Sequence, residues 1–323
     1  MNNFKKIGMT ALAASLVSTS VFAGELTATG SASVTVEGYS GSLTDNARAL
    51  SMADSVTFGG STELDNGMTV SMSFELDGDD AGFDDRSFTV ASDAIGTFKF
   101  SGHGGSTAAS AIDGTAAGDL WDNFDGAGNI GTVTGVAVSA APGGNNSLFY
   151  TLPSLVDGLA VTASYRPETN ASTTEGGAAT AYGVTYSGVE GLSVSYGVAD
   201  EETGTASTSG DQTVMKASYA YGPVTVAYSN NEYDIDGTAS DQETTSWNVS
   251  YTLTDSISVG YGVEEIGTST TGEVDAEYSG INASYTAGGL TISTAMIDAE
   301  NIDHSTDAVA DGEYWKLGLA FAF

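Results

Sequence analysis

Hydrophobic and polar residues alternate along most of the chain after about residue 24. The clearest segment, residues 68–76, reads MTVSMSFEL, with every large apolar side chain at an even-numbered position. A period of two places these side chains on one face of a β-strand and the polar ones on the other. A shift of one residue would exchange the two faces, so the pattern specifies the strand register strongly.

Sixteen such segments can be counted, and their connections alternate in length. Those after even-numbered segments are short, such as Asp65–Gly67, whose Asn-Gly pair suits a tight hairpin. Those after odd-numbered segments are mostly longer and acidic, such as 39–53 after the first segment, 103–145 after the fifth and 301–313 after the fifteenth. This sorting is typical of an up-and-down barrel whose two rims face different compartments. We therefore predict an all-β fold, a transmembrane antiparallel β-barrel of 16 strands, with both chain ends on the short-turn rim.

The two ends of the chain carry further signals. Residues 1–23 combine Lys5 and Lys6 with a short apolar run and end in Val21-Phe22-Ala23, which predicts a cleaved secretory signal peptide followed by a barrel over 24–323. The last ten residues read YWKLGLAFAF. Their alternate large apolar residues are Trp315, Leu317, Leu319, Phe321 and Phe323.

Together these features resemble the trimeric general porins of Gram-negative bacteria, the 16-stranded alphaproteobacterial type. The resemblance rests on the alternation, the terminal phenylalanine and the long fifth connection, and it covers the whole mature chain. It implies an outer-membrane homotrimer in contact with lipid, through which ions and small hydrophilic solutes diffuse passively. It also implies that the alternating terminal strand is the signal that the barrel assembly machinery reads.

In porins the loop after strand five folds into the lumen and forms the constriction, where acidic side chains face a basic wall. The resemblance gives that place to residues 103–145, whose acidic residues are Asp113, Asp119, Asp122 and Asp125. An exposed loop outside the pore is the alternative. The alternation places four basic side chains on the lumen face, because a cation facing lipid costs roughly 2–4 kcal/mol at mid-depth. They are Lys99, Arg166, Lys216 and Lys316. Arg86 shares the parity of apolar neighbours, so it lies at the rim or follows a bulge.

The net charge of the chain limits which ligands and solutes it can favour. The chain has 42 Asp and Glu against 8 Lys and Arg, a formal net charge of −34, which excludes nucleic acid and favours cations. We predict a weakly cation-selective pore. The competing interpretation is that most carboxylates lie in outer loops, where salt screens them and they hardly affect selectivity.

Two other functional classes compete with a pore. Asp77, Asp79, Asp80, Asp84 and Asp85 could bind Ca²⁺, as in an acidic adhesin or surface structural protein, but EF-hand spacing is missing and a solvated loop is the simpler interpretation. An enzyme is not predicted, because the two histidines, His103 and His304, lie in predicted loops and in no zinc or nucleophile motif. No cofactor or metal site is assigned, and zero cysteines exclude thiolate ligands.

Overall fold

The computed structural model describes residues 26–41, 48–77, 83–124, 144–167, 177–202, 209–237, 241–307 and 310–323. The predicted signal peptide and Asp125 lie outside these ranges. The strands are β1 (Leu26–Gly41), β2 (Arg48–Glu63), β3 (Thr69–Asp77), β4 (Arg86–Ser92), β5 (Gly96–His103), β6 (Ser147–Thr151), β7 (Leu159–Arg166), β8 (Ala178–Tyr186), β9 (Leu192–Glu202), β10 (Gly210–Tyr221), β11 (Val224–Ile235), β12 (Gln242–Thr254), β13 (Ile257–Thr268), β14 (Ala276–Ala287), β15 (Leu290–Glu300) and β16 (Gly312–Ala322). Two short 3-10 helices, Leu120–Asn123 and Ile302–His304, complete the described elements. In these ranges no helix is long and apolar enough to cross a membrane.

Each strand pairs antiparallel with its neighbours in sequence, and β1 pairs with β16, so the sheet closes on itself. The seam runs in register from Ser31 opposite Ala322 to Gly41 opposite Gly312. Beyond it, the Gly30 N–H donates to the Phe323 carbonyl at 2.9 Å and the Phe323 N–H donates to the Gly30 carbonyl at 3.0 Å. The predicted 16-stranded barrel is confirmed, and closure leaves no unpaired sheet edge.

The outer face carries the apolar half of the alternation. Met72, Phe98, Tyr228, Trp247 and Leu319 are all more than 40 % exposed. Water would disfavour so continuous an apolar surface, whereas the hydrocarbon of a bilayer matches it. The buried residues lie instead inside the barrel, where the connection after β5 packs against the wall.

Several strand ends differ from the sequence prediction, and the start of the second strand differs most. We predicted that the second strand begins at Asp54 after a loop over 39–53, but β2 begins at Arg48, opposite Gly38 of β1. The loop prediction is wrong in extent, because Ala, Ser and Asp dominate residues 49–55 and give a weak strand signal although the pairing with β1 continues there.

His103, predicted as a loop residue, is the last residue of β5. The β4–β5 register shifts between Arg86 and Ser87, because Ser87 lies opposite Ser101 while Arg86 lies opposite His103. The bulge that the parity of Arg86 allowed is therefore present, and bulges redirect neighbouring side chains.

Candidate functional site: the constriction loop and the lumen wall

The connection after β5 lies against the inner wall, held by hydroxyl groups of lumen-facing serines. The Ala108 N–H donates to Ser164 Oγ of β7 at 2.9 Å, the Ala116 N–H to Ser229 Oγ of β11 at 2.8 Å and the Ala117 N–H to Ser246 Oγ of β12 at 2.9 Å. We call residues 104–124 the constriction loop. These three N–H groups lie outside any helix or strand, and the wall hydroxyls supply the acceptors that buried N–H groups require.

Glu264 of β13 makes two polar contacts with the loop. Its side chain is fully buried, Oε2 accepts a hydrogen bond from Thr115 Oγ1 at 2.6 Å, and Oε1 accepts one from the Trp121 N–H at 3.2 Å. One carboxyl group thus joins two turns of the constriction loop to one strand. A buried carboxyl without such partners would be costly, so its position depends on the docked loop.

Glycines on the wall leave room for the loop backbone. A Cβ on Gly183 of β8 would lie 2.7 Å from the Ala108 carbonyl oxygen, and one on Gly262 of β13 would lie 2.7 Å from Ala117 Cβ. Real Cβ atoms do not approach other heavy atoms so closely, so any larger residue at either position would push the loop toward the centre of the lumen.

Apolar contacts fix the end of the described loop. Leu120 and Phe124 are buried, and the Phe124 ring lies 5.5 Å from that of Tyr278 and 6.1 Å from those of Tyr39 and Tyr314. Ring pairs at such separations add roughly 0.5–1.5 kcal/mol each beyond the area they bury. Phe124 therefore joins the loop to β14, β16 and β1 across the barrel seam.

The predicted acidic residues occupy different environments. Asp122 is exposed, whereas Asp119 Oδ1 accepts a hydrogen bond from the Thr115 N–H at 2.9 Å and the Asp119 N–H donates to Thr115 Oγ1 at 2.7 Å. The Asp119 carboxylate thus stabilises a turn within the loop. Asp113 is half-buried, and its carbonyl accepts a hydrogen bond from Asn231 Nδ2 at 2.5 Å.

The four predicted basic residues lie on the lumen face but do not form one cluster. Lys216 Nζ donates to the carbonyls of Gly114 at 2.6 Å and Thr115 at 3.3 Å, so this cation lies beneath the loop. Arg166 forms an ion pair with Glu201 and donates from Nη2 to the Gly177 carbonyl at 3.2 Å.

Lys99 and Lys316 remain toward water. Lys99 is exposed on β5 opposite Phe149, which packs against the loop cluster inside the barrel. Lys316 Nζ lies 3.4 Å from Asn123 Oδ1, where it reaches the end of the constriction loop. Of the four predicted cations, only Lys99 and Lys316 can therefore interact with ions that pass through the lumen.

Comparison with known proteins identifies the family. A model of the Gram-negative porin family matches residues 8–268. The chain belongs to this family. No curated protein sequence compared with it matches significantly.

Solved porin structures share its fold. A porin refined at 1.8 Å resolution superposes with a TM-score of 0.67 at 18 % identity, covering 93 % of this chain and 100 % of its own. The anion-selective porin from Comamonas acidovorans gives 0.66 at 14 % identity, with coverage of 93 % and 100 %. Salmonella typhi OmpF in complex with daunomycin gives 0.67 at 14 % identity, with coverage of 93 % and 98 %. These structures share the barrel fold, and the family match shows that this chain is a Gram-negative outer-membrane porin.

A polar cavity of this porin lies between the end of the loop and the seam strands. Its lining includes Glu37, Tyr39, Asp122, Asn123 and Lys316. Glu37 Oε2 accepts a hydrogen bond from the Tyr314 hydroxyl at 2.5 Å. Two carboxylates therefore face one ammonium group along the water path, together with neutral hydrogen-bonding groups.

A second set of carboxylates lies on the outer face of the porin, near the rim with the long connections. They alternate with lumen-facing residues in the same phase as the exposed Met215, Tyr228, Trp247 and Tyr261, and they lie opposite one another on adjacent strands. They are Asp200, Asp211, Glu232, Asp234, Glu243, Glu265, Glu277 and Glu300. We call this set the acidic belt. The charge of the acidic belt lies on the far side of the barrel wall from the solute path. The prediction of a negative lumen used the net charge of the whole chain and did not distinguish these outward carboxylates from those in the lumen.

The predicted assembly residues lie along β16. Leu317, Leu319, Phe321 and Phe323 are exposed on the outer face, and the rings of the last two lie 5.9 Å apart. Trp315 is half-buried beside Gly38, where a Cβ would lie 3.1 Å from its Nε1.

The sequence prediction missed Glu264 and the wall serines, because small polar residues are common on every lumen-facing strand. One signal was present: a glutamate between Val263 and Glu265, which follows the lumen-facing glycines Gly260 and Gly262 in the same strand.

Proposed function

We propose that this porin is a wide, weakly cation-selective diffusion pore whose preference arises in the lumen and not from the net charge of the chain. The observation that carries the proposal is the cavity beside the constriction loop, where Glu37 and Asp122 face Lys316 alone. Of the other three predicted wall cations, Arg166 is engaged with Glu201 and Lys216 with loop carbonyls, so only Lys99 also remains toward water.

Carboxylates elsewhere in the lumen act in the same direction. On β3, Glu75 and Asp77 alternate with the outward Leu76, and neither forms an ion pair in the described part of the chain. An ion that passes a unit charge at about 4–8 Å in water changes in energy by about 0.5–1 kcal/mol, a factor of about 2–5 in its preference. A small excess of water-facing carboxylates therefore gives weak selectivity, whereas the acidic belt lies beyond the wall and is screened over about 8 Å at physiological salt.

The test compares equal charge changes on the two sides of the wall. Glu37→Gln with Asp122→Asn removes two lumen charges while keeping the side-chain shapes and the acceptor for Tyr314. Glu243→Gln with Glu265→Gln removes two charges of the acidic belt. Reversal potentials in planar bilayers under a KCl gradient should show a clear fall in cation preference for the lumen pair and no change for the belt pair.

The opposite ranking, with the belt pair altering selectivity as much as the lumen pair, would contradict the proposal. An anion-preferring wild type would mean that Lys99 and Lys316 dominate the path. The fold does not decide between these outcomes, because the anion-selective porin from Comamonas acidovorans shares it.

We further propose that the protein works as a homotrimer without enzymatic activity, that residues 1–23 are removed on export, and that the barrel assembly machinery recognises β16. The broad apolar outer face supports burial against other copies. Native mass measurement of detergent-extracted protein tests the homotrimer, and a mass of one copy would contradict it.

A further inference from the structure

Two aspartates and a histidine converge at the rim where the long connections emerge. His103 Nδ1 lies 3.4 Å from Asp84 Oδ1 and 3.5 Å from Asp85 Oδ1, and the three ligand atoms lie within 4.8 Å of one another. The nitrogen is buried and makes no hydrogen bond, although both contacts are close enough for ion pairs when the ring is protonated. An imidazole nitrogen that lies beside two carboxylates without a hydrogen bond is, in the neutral ring, also able to ligate a metal ion.

The spacing fits a tetrahedral metal ion. Two ligands about 2.1 Å from a tetrahedral zinc ion lie about 3.4 Å apart, which matches both nitrogen–oxygen distances. Octahedral ligands at the same bond length would lie about 3.0 Å apart. The third pair, one oxygen from each aspartate, lies within 4.8 Å.

The three side chains are held by regular structure on both sides. The Asp84 N–H donates to the Glu75 carbonyl at 2.9 Å and the Glu75 N–H donates to the Asp85 carbonyl at 2.8 Å, so both aspartates extend the pairing with β3. The bulge opposite Arg86 redirects His103 at the end of β5. Backbone ladders thus fix the ligands before any ion arrives, as an effective site requires.

Gly104 adds a steric reason for the arrangement. Its φ is +63°, and a Cβ there would overlap the Asp85 carboxylate. The carboxylate can therefore lean over the chain toward His103 only because residue 104 is glycine. The side chains of Asp84 and His103 remain 29 % and 42 % exposed, so an ion can reach the group from water.

We propose that Asp84, Asp85 and His103 bind one zinc-class divalent cation, with imidazole nitrogen and two carboxylate oxygens as ligands. The two aspartates balance the charge of the ion, and the imidazole favours zinc over calcium, which takes oxygen ligands. The ion would join the start of β4 to the end of β5, where the constriction loop begins, and would stabilise the base of that loop. The proposal does not depend on the selectivity of the pore.

The experiment titrates ZnCl₂ into metal-free refolded protein by calorimetry, in a large excess of Ca²⁺ that occupies sites made of carboxylates alone. We expect one zinc ion per chain, binding at least tenfold weaker in His103→Ala and in Asp85→Asn, and an unfolding temperature that zinc raises only in the wild type. The matched control is His304→Ala, which removes the other histidine, whose Nδ1 lies 2.8 Å from the Val274 carbonyl. It should bind zinc as the wild type does.

Co²⁺ provides a second measurement, because tetrahedral Co²⁺ absorbs visible light much more strongly than octahedral Co²⁺. Strong absorption that His103→Ala loses supports the site. Zinc binding that Ca²⁺ abolishes, or that His103→Ala retains, would assign the ion to the acidic surface and overturn the proposal. Absence of binding would overturn it equally. Heat-modifiable migration on gels shows whether each variant has folded, and Asp85→Asn, which keeps the side-chain volume, serves if His103→Ala has not.

Discussion

Glu264→Ala tests whether the constriction loop depends on the buried carboxyl that joins it to β13. The substitution removes the acceptors of the Thr115 hydroxyl, which is buried, and of the Trp121 N–H, which is partly buried. An unsatisfied buried donor costs about 1–3 kcal/mol and a partly buried one less, so the docked loop should lose about 2–4 kcal/mol. Each 1.4 kcal/mol is tenfold in population, so the ratio of docked to undocked loop should fall at least about 30-fold.

The assay is the single-channel current of the reconstituted porin. Glu264→Ala should show additional transitions between current levels, because the loop leaves the wall more often. Glu264→Gln is the matched control, since its amide can still accept from Trp121 and donate to Thr115, and it should conduct as steadily as the wild type.

A nitroxide on Ala111→Cys provides an independent measure, because the chain has no other cysteine and Ala111 is exposed on the loop. The label should be more mobile in Glu264→Ala than in the wild type, and Glu264→Gln should leave its mobility unchanged. Steady currents and an immobile label in Glu264→Ala would refute the assignment of Glu264 as a polar anchor of the loop, leaving the serines and Phe124 to hold it.

Three further predictions concern the glycine, charge and terminal features of the barrel. Gly183→Val should push the loop off the wall at Ala108 and lower the conductance, whereas Gly60→Val, where a Cβ meets nothing within 4 Å, should conduct normally; equal currents would contradict the steric argument. Lys316→Met should raise the cation preference measured by reversal potential about two- to fivefold, and an unchanged ratio would show that this ammonium is remote from the ion path. Deletion of Phe323 removes the hydrogen-bonded pair at the seam and the terminal aromatic ring, so the yield of heat-modifiable barrel in membranes should fall, and an undiminished yield would count against β16 as the assembly signal.

The barrel could be predicted from the sequence because its information is local. The alternation of apolar and polar residues within a strand assigns its two faces, and hairpins pair each strand with the next. Residues 68–76 were therefore enough to predict one strand and which of its side chains face outward. The exception was the start of β2, where Ala49 and its small neighbours carry little strand signal although β1 pairs with them.

The site could be predicted only in part, because its contacts join residues far apart in the chain. Thr115 and Glu264 are 149 positions apart, and nothing in either segment indicates the other. The alternation placed Lys216 on the lumen face but could not show that its ammonium group binds loop carbonyls. The group at His103 depends on a bulge that shifts the register by one residue, which a pattern of period two does not reveal.

The most direct test of the account is the conductance of refolded protein in a planar bilayer, recorded in KCl and then under a KCl gradient. A water-filled lumen narrowed by a docked loop predicts large, steady, open channels with a weak preference for K⁺ over Cl⁻. A correctly folded barrel that carries no ionic current would contradict the account, because the constriction loop would then close the lumen instead of narrowing it.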